Sequence, residues 1–123
     1  MTNHLKLADS YLRLSDEEKK YGNESESITN QREIIRDYCK KQGIIIVSEF
    51  VDDGYSGGNF ERPGFQAMLN HLAAGKANTV ITKDLSRLGR DMTESSYYAE
   101  RFFPEHGIHY LAPGNDFDSM GDN

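Results

Sequence analysis

The sequence has a single cysteine, Cys39, and no cluster of cysteines and histidines. It also has no apolar run approaching the ~20 residues of a membrane span. One thiol cannot close an internal disulfide, which points to a reducing compartment. The N-terminus lacks the basic-then-apolar layout of a signal peptide. A cytoplasmic location with no membrane partner is therefore expected. His4, His71, His106 and His109 are scattered without ligand spacing, so no metal site is expected. No repeat or low-complexity tract occurs. Positive charge is short as well: 14 Lys+Arg face 20 Asp+Glu, a net charge of -6 and a pI near 5.1. Taken whole, that balance argues against a general nucleic-acid binder, because phosphate contacts need clustered cations.

What is present fits one domain. At 123 residues and 37% hydrophobic content, the chain can bury a core of its own, and residues 1–123 are read as a single unit. Counting charge by segment changes the meaning of the average. Residues 1–90 carry 13 basic and 13 acidic side chains, whereas residues 91–123 carry one basic residue, Arg101, against seven acidic ones. The acidic excess is therefore C-terminal. Between Lys76 and Arg90 the sign reverses, with Lys76, Lys83, Arg87 and Arg90 against Asp84 alone.

The periodicity gives a coarse layout. Lys6 to Leu14 alternates as a strand, although Asp9 and Ser10 argue against its being fully buried. The polar stretch Asp16 to Glu26 reads as a solvated, mobile loop. Ser27 is a helix N-cap ahead of an apolar stripe of Ile28, Ile35, Tyr38 and Cys39, which ends at Gly43. Ile44 to Val51 is a β-branched run of the kind buried on both faces of a parallel sheet. After a loop with Gly54, Gly57 and Gly58, Pro63 opens a helix with Phe65, Met68, Leu69 and Leu72 on one face. Thr79 to Thr82 is a strand, Met92 to His106 a helix stopping before Gly107, and Ile108 to Ala112 a strand. The tail after Pro113 reads as poorly ordered. The order βαβαβαβ specifies an α/β fold, a mostly parallel sheet of four to five strands with helices on both faces. Ligands in such folds bind beyond the carboxyl ends of the strands.

Two chemistries compete for those ends and a third pattern is a decoy. Gly54-Tyr55-Ser56-Gly57-Gly58 matches the G-x-S-x-G elbow of hydrolases. That elbow needs strand, Ser and helix in immediate succession, and here Pro63 starts the helix several residues later. Asp52 and Asp53, with Lys83 and Asp84, resemble the Mg²⁺-holding carboxylates and lysine of a receiver-type phosphoacceptor. The first strand, however, ends in Arg13 and Ser15 where such a domain needs an acidic pair. The remaining set is Ser15 with Arg13, Arg62, Arg87 and Arg90, all on carboxyl-end connections that a parallel sheet brings together. Several guanidiniums suit the oxygens of a phosphodiester and stabilise charge building up on phosphorus, while a serine can form a covalent phosphoester.

The motifs Tyr11-Leu12-Arg13-Leu14-Ser15, Asn30-Gln31, Asp53-Gly54-Tyr55-Ser56-Gly57, Glu61-Arg62-Pro63-Gly64-Phe65 and Asp84-Leu85-Ser86-Arg87-Leu88-Gly89-Arg90-Asp91 carry a resemblance. Together they resemble the catalytic domain of serine site-specific recombinases, the resolvase and invertase superfamily, and most of all the large serine recombinases of integrative and transposable elements. The resemblance implies a resolvase-like fold and DNA strand exchange. Ser15 would attack the scissile phosphate to give a 5′-phosphoserine, and Arg13, Arg62, Arg87 and Arg90 would hold that phosphate. Gln31 would support the pocket, and no metal or other cofactor would be needed.

It also implies DNA and further copies of the chain, as dimer and tetramer, as partners. The long helix and DNA-binding domains of such proteins would lie beyond Asn123, so these residues alone are expected to bind DNA weakly. Two departures stand out. Ser86 occupies the place where resolvases have an Asp before the arginine, so that role would pass to Asp84 or be missing. Asp9 and Ser10 replace apolar residues of the first strand, which bears on packing rather than chemistry. A third possibility, an interaction domain that keeps the fold without catalysis, sits poorly with an intact Ser15 and four arginines.

Overall fold

Side-chain alternation along β1 (Leu7–Leu14) sends Tyr11 into the core on one face of the sheet and Leu12 into the core on the other. The computed structural model of the chain describes residues 5–54 and 62–121. His4, Tyr55-Ser56-Gly57-Gly58 of the glycine segment, Glu61 and Asp122 lie outside the described residues. Four parallel strands, β2 (Ile45–Asp53), β1, β3 (Thr79–Ile81) and β4 (His109–Ala112), stand in that spatial order, and β5 (Phe117–Asp118) pairs antiparallel with β4. The α/β class with a mostly parallel sheet is as expected from the sequence.

Helices cover both faces. α2 (Ile28–Gln42) packs Ile35 and Cys39 onto Ala8, Leu12, Ile81 and Leu111. Ser27 caps it by accepting from the amide of Asn30, and Gly43, at φ 74°, ends it in the left-handed conformation that costs other residues energy. Burial pushes the Cys39 thiol up to about 11, which suits a packing role. α3 (Pro63–Ala73) and the helical segment from Met92 to Glu105 cover the opposite face. There Phe65, Met68, Leu72, Ala99 and Phe103 close over Tyr11, Val80 and Tyr110.

Five expectations need correction. Asp16 to Glu26 is not simply a loop: α1 (Asp16–Tyr21) follows Ser15 directly, and a 3₁₀ turn spans Glu24–Glu26. Asp9 and Ser10 do lie in a fully buried stretch, and Asp9 gains His71 Nδ1 as a partner at 2.7 Å. The run beginning at Ile44 forms the edge strand β2, not a strand buried on both faces. With a sheet neighbour on one side alone, it leaves Ile45 and Val47 exposed. The third long helix is interrupted: α4 (Met92–Tyr97) and α5 (Phe103–Glu105) flank a π turn, Tyr98–Phe102, in which the amide of Phe103 reaches back to the carbonyl of Tyr98. Pro104, lacking an N–H, sits immediately beyond that turn. Finally, the tail after Pro113 is structured through residue 121, by a 3₁₀ turn Pro113–Asn115, Asp116 at φ 54° and strand β5.

Candidate active site at the carboxyl end of β1

β1 is the strand at which the sheet order switches, flanked by β2 and β3, and crevices open at such points. Its pairing with β3 stops at Ser10 and Ile81, while pairing with β2 continues to Leu14 and Asp53. Past Ser10 the β3-side backbone of β1 therefore needs other partners. Gln31, fully buried on α2, provides them: its Oε1 accepts from Arg13 N at 3.2 Å and its Nε2 donates to Arg13 O at 2.9 Å and Glu26 O at 3.1 Å. Gln31 thus takes the place of a neighbouring strand for the backbone of Arg13.

Ser15 is the N-cap of α1. Its Oγ accepts from the amide of Glu18 and its own amide donates to Glu18 Oε1, each at 3.0 Å, a reciprocal capping box. The same Glu18 Oε1 accepts from Arg87 Nη1 at 2.8 Å. Arg87 is nearly buried, with its side chain 3% exposed, and its other contacts are Arg13 O and the carboxylate of Glu26. Burial works to lower the Arg87 pKa, but the bond to Glu18 and the charges of Glu18, Asp84 and Glu26 outweigh it and hold the guanidinium firmly ionised. Glu18 responds in the opposite sense: burial works to raise it, yet Arg87 and the Ser15 amide carry it below the usual carboxylate range.

Arg13 grips the turn that carries Arg87. Its Nη2 donates to the carbonyls of Ser86 at 2.5 Å and Gly89 at 3.2 Å, and its Nε to that of Arg87 at 3.4 Å. Burial, reinforced by the nearby charges of Arg87 and Arg62, lowers the Arg13 pKa. Arg62 reaches the same turn from the start of α3. Its Nη1 donates to Leu88 O at 2.7 Å, its Nη2 to Glu94 Oε1 at 3.0 Å, and its guanidinium stacks 4.1 Å from the Phe65 ring centre. Arg90 pairs through Nε with Glu94 Oε2 at 3.4 Å. Asp84 caps the 3₁₀ turn Leu85–Arg87, with Oδ1 accepting from Ser86 N at 3.0 Å and Ser86 Oγ at 2.5 Å.

The candidates therefore converge, but in two groups. Ser15, Arg13, Arg87 and Gln31 belong to one hydrogen-bonded network, and Arg62, which meets the same turn at Leu88 O, shares Glu94 with Arg90. Asp84 shapes the turn from the exposed side. Sequence reasoning missed Glu18, Glu26 and Glu94. The first was readable as Ser15-Asp16-Glu17-Glu18, a capping-box spacing, and the last as an i,i+4 partner of Arg90. The receiver-type alternative loses its geometry. Asp52 accepts from Tyr11 Oη at 2.6 Å and from the amides of Gly64 and Phe65 at 2.8 and 3.0 Å, so it fastens α3 to the sheet. Lys83 instead reaches Ser25 O at 2.9 Å. Among the described residues no group of three or more His, Cys, Asp or Glu could hold a metal ion, and none of the helices is long and apolar enough to cross a membrane.

Comparison with known proteins bears on the fold and the family. Residues 8–119 match the family model of the resolvase N-terminal domain. The fold resembles the N-terminal catalytic domain of TP901-1 integrase, with TM-score 0.79 and 24% identity over 94% of this chain and 83% of that one. It also resembles a resolvase family site-specific recombinase from Streptococcus pneumoniae, with TM-score 0.76 and 22% identity over 96% and 78%. A protein of Bacillus phage phi105, described as uncharacterized immunity region protein 3, is 35% identical over 65 residues, 53% of this chain and 77% of its own length. The parallel sheet and the family match over nearly the whole chain lead to one conclusion: the chain belongs to the resolvase family, serine recombinase catalytic domains that act as DNA strand-exchange enzymes.

Proposed function

We propose that Ser15 is the nucleophile of this domain and that Arg13, Arg62, Arg87 and Arg90 organise the phosphodiester it attacks. The observation that carries this reading is the link between Ser15 and Arg87 through Glu18, on a turn whose carbonyls Arg13 holds. Attack forms a bond from Ser15 Oγ to phosphorus and breaks the bond from phosphorus to the 3′ oxygen. The hydroxyl proton of Ser15 leaves as the bond forms, and the departing 3′ oxygen takes one up as a free 3′-hydroxyl. Resealing runs the same exchange backwards with a 3′-hydroxyl as nucleophile, so no outside energy source is required.

Placement supports each role. Arg87 is the buried cation beside Ser15 and the one best screened from water, so a phosphoryl oxygen reaching it meets a strong, preorganised donor. To do so the phosphate must exchange places with the carboxylates of Glu18 and Glu26 that hold Arg87. The more exposed Arg90 meets the flanking backbone, and Arg62 fixes the turn from its stacked position on Phe65. Gln31 and Asp84 act on the backbone around the arginines. DNA is the substrate, and further copies of the chain complete the assembly as dimer and tetramer. Four of the 14 basic side chains, Arg13, Arg62, Arg87 and Arg90, meet at this site in a chain of net charge -6, so the domain holds a phosphate locally and binds DNA weakly by itself.

The test is a suicide duplex, nicked beside the crossover so that cleavage is trapped. A protein joined to the 5′ end of the cut strand is expected with the wild-type chain, and Ser15→Ala should abolish the adduct without weakening DNA binding. Cleavage by the alanine variant would overturn the assignment.

A further inference from the structure

The region where α4 begins holds a carboxylate to which the reaction as described assigns nothing. Glu94 is largely shielded, with its side chain 21% exposed, and its Oε1 is shared between two donors from different parts of the chain. One is Arg62 Nη2 at 3.0 Å and the other is the backbone amide of Arg90 at 2.7 Å. Its Oε2 faces Arg90 Nε at 3.4 Å. Glu94 is itself held: its amide donates to Asp91 Oδ1 at 2.9 Å, the N-cap interaction of α4.

The next residue strengthens the same junction. Ser95, fully buried, accepts from Gly89 N at 2.9 Å and donates to Leu85 O at 2.7 Å. The turn and the first turn of α4 lie so close that a Cβ at position 89 would fall 2.6 Å from Ser95 N and 2.9 Å from Glu94 Cβ. The helix start is thus a rigid base, and Glu94 projects from it to the two arginines.

We infer that Glu94 is a positioning residue for strand cleavage, setting Arg62, from the start of α3, and Arg90, on the phosphate-binding turn, at a fixed separation. This inference rests on the reading of Ser15 and the arginines given above. Arg62 is 6% exposed, so its guanidinium needs partners wherever it points. Leu88 O takes one nitrogen and Glu94 takes another, which leaves a single orientation. Arg90 is tied by backbone and side chain to the same carboxylate. A ±1 Å error in such donors costs cleavage rate far more than it costs binding, because charge builds up on the phosphate only in the transition state.

The experiment uses the whole chain and the suicide duplex, with adduct formation followed in single turnover across DNA concentrations. Glu94→Ala is expected to lower the maximal rate by about a hundredfold while leaving the half-saturating DNA concentration within about threefold. Glu94→Gln, which keeps an acceptor for Arg62 Nη2 and Arg90 N, should recover at least a tenth of the wild-type rate. In an Arg62→Ala background, Glu94→Ala should cost less than tenfold more, because one of the two guanidiniums that it sets is already gone. A purely structural carboxylate would give the full hundredfold loss in both backgrounds with a matching fall in Tm, and that result overturns the proposal, as does a wild-type rate for Glu94→Ala. Loss of the adduct in wild-type protein, or its survival in Ser15→Ala, would instead overturn the nucleophile assignment.

Discussion

Arg87 Nη1 sits 2.8 Å from Glu18 Oε1, the same oxygen that accepts the amide of Ser15, so the buried cation and Ser15 share one carboxylate. Glu26 engages the other end of the guanidinium. A phosphate entering this site meets an arginine that already has anionic partners. The carboxylates keep the cation in place at the cost of competing with the substrate.

Glu26 is the better probe of that competition, because Glu18 also caps α1. Glu26→Gln keeps an acceptor for Arg87 but removes a charge. It is expected to lower the half-saturating concentration of a suicide duplex several-fold, with the maximal adduct rate unchanged. A higher half-saturating concentration would mean that Glu26 helps to bind phosphate rather than opposing it.

Glu18 makes acid sensitivity predictable. Its folded-state pKa is held below the ordinary value of 4.5 by Arg87 and the Ser15 amide. The stabilisation is therefore fully present above the unfolded value and lost as pH falls through the lower folded one. Glu18→Gln should be less stable than wild type at pH 7, and the gap should close as pH drops below about 4.5. Urea melts at pH 7 and pH 3.5 measure it, and a gap that persists at pH 3.5 would show that the loss comes from packing.

Gly89 tests the junction between turn and helix. A methyl at this position meets backbone at 2.6 Å, which cannot swing aside as a side-chain tip would. Gly89→Ala must push the turn off α4, breaking the bond from Gly89 N to Ser95 Oγ. A stability cost of roughly 1–3 kcal/mol is expected, together with a fall in adduct formation of at least a hundredfold. Near-normal cleavage would show that the arginines tolerate displacement of their turn.

The convergence of Ser15 with the arginines was legible in the sequence because these residues stand at strand ends, and strand ends are easy to find. Ser15 follows the alternating run that ends at Leu14, and Arg87 and Arg90 follow the short apolar strand at Val80 and Ile81. What the sequence concealed is a matter of partners. Glu18 and Glu26 read as solvated charge until the fold laid them against Arg87, and β-branched β2 read as central until the order of strands placed it at the edge. The π turn at Tyr98–Phe102 left no mark in periodicity, because its side chains still face the core around Ala99 and Phe103.

Asp9, the residue most out of place in the first strand, gives the last prediction. It is fully buried, His71 Nδ1 lies 2.7 Å from its Oδ2, and its Oδ1 has no hydrogen-bond partner among the described residues. Burial raises its pKa, with His71 pulling the other way. A carboxyl whose folded pKa is raised loses stability as pH climbs through the interval between the unfolded and folded values, since the unfolded chain gives up the proton first. His71→Leu removes the opposing partner and widens that interval. It should cost on the order of 3 kcal/mol at pH 8 and distinctly less at pH 5, where the buried carboxyl can stay protonated. Adding Asp9→Val should recover most of the loss, since an apolar pair of similar volume avoids the desolvation altogether. Urea denaturation of the three variants at both pH values decides it: an equal cost for His71→Leu at pH 5 and pH 8 would mean that the pair acts through shape and not through charge.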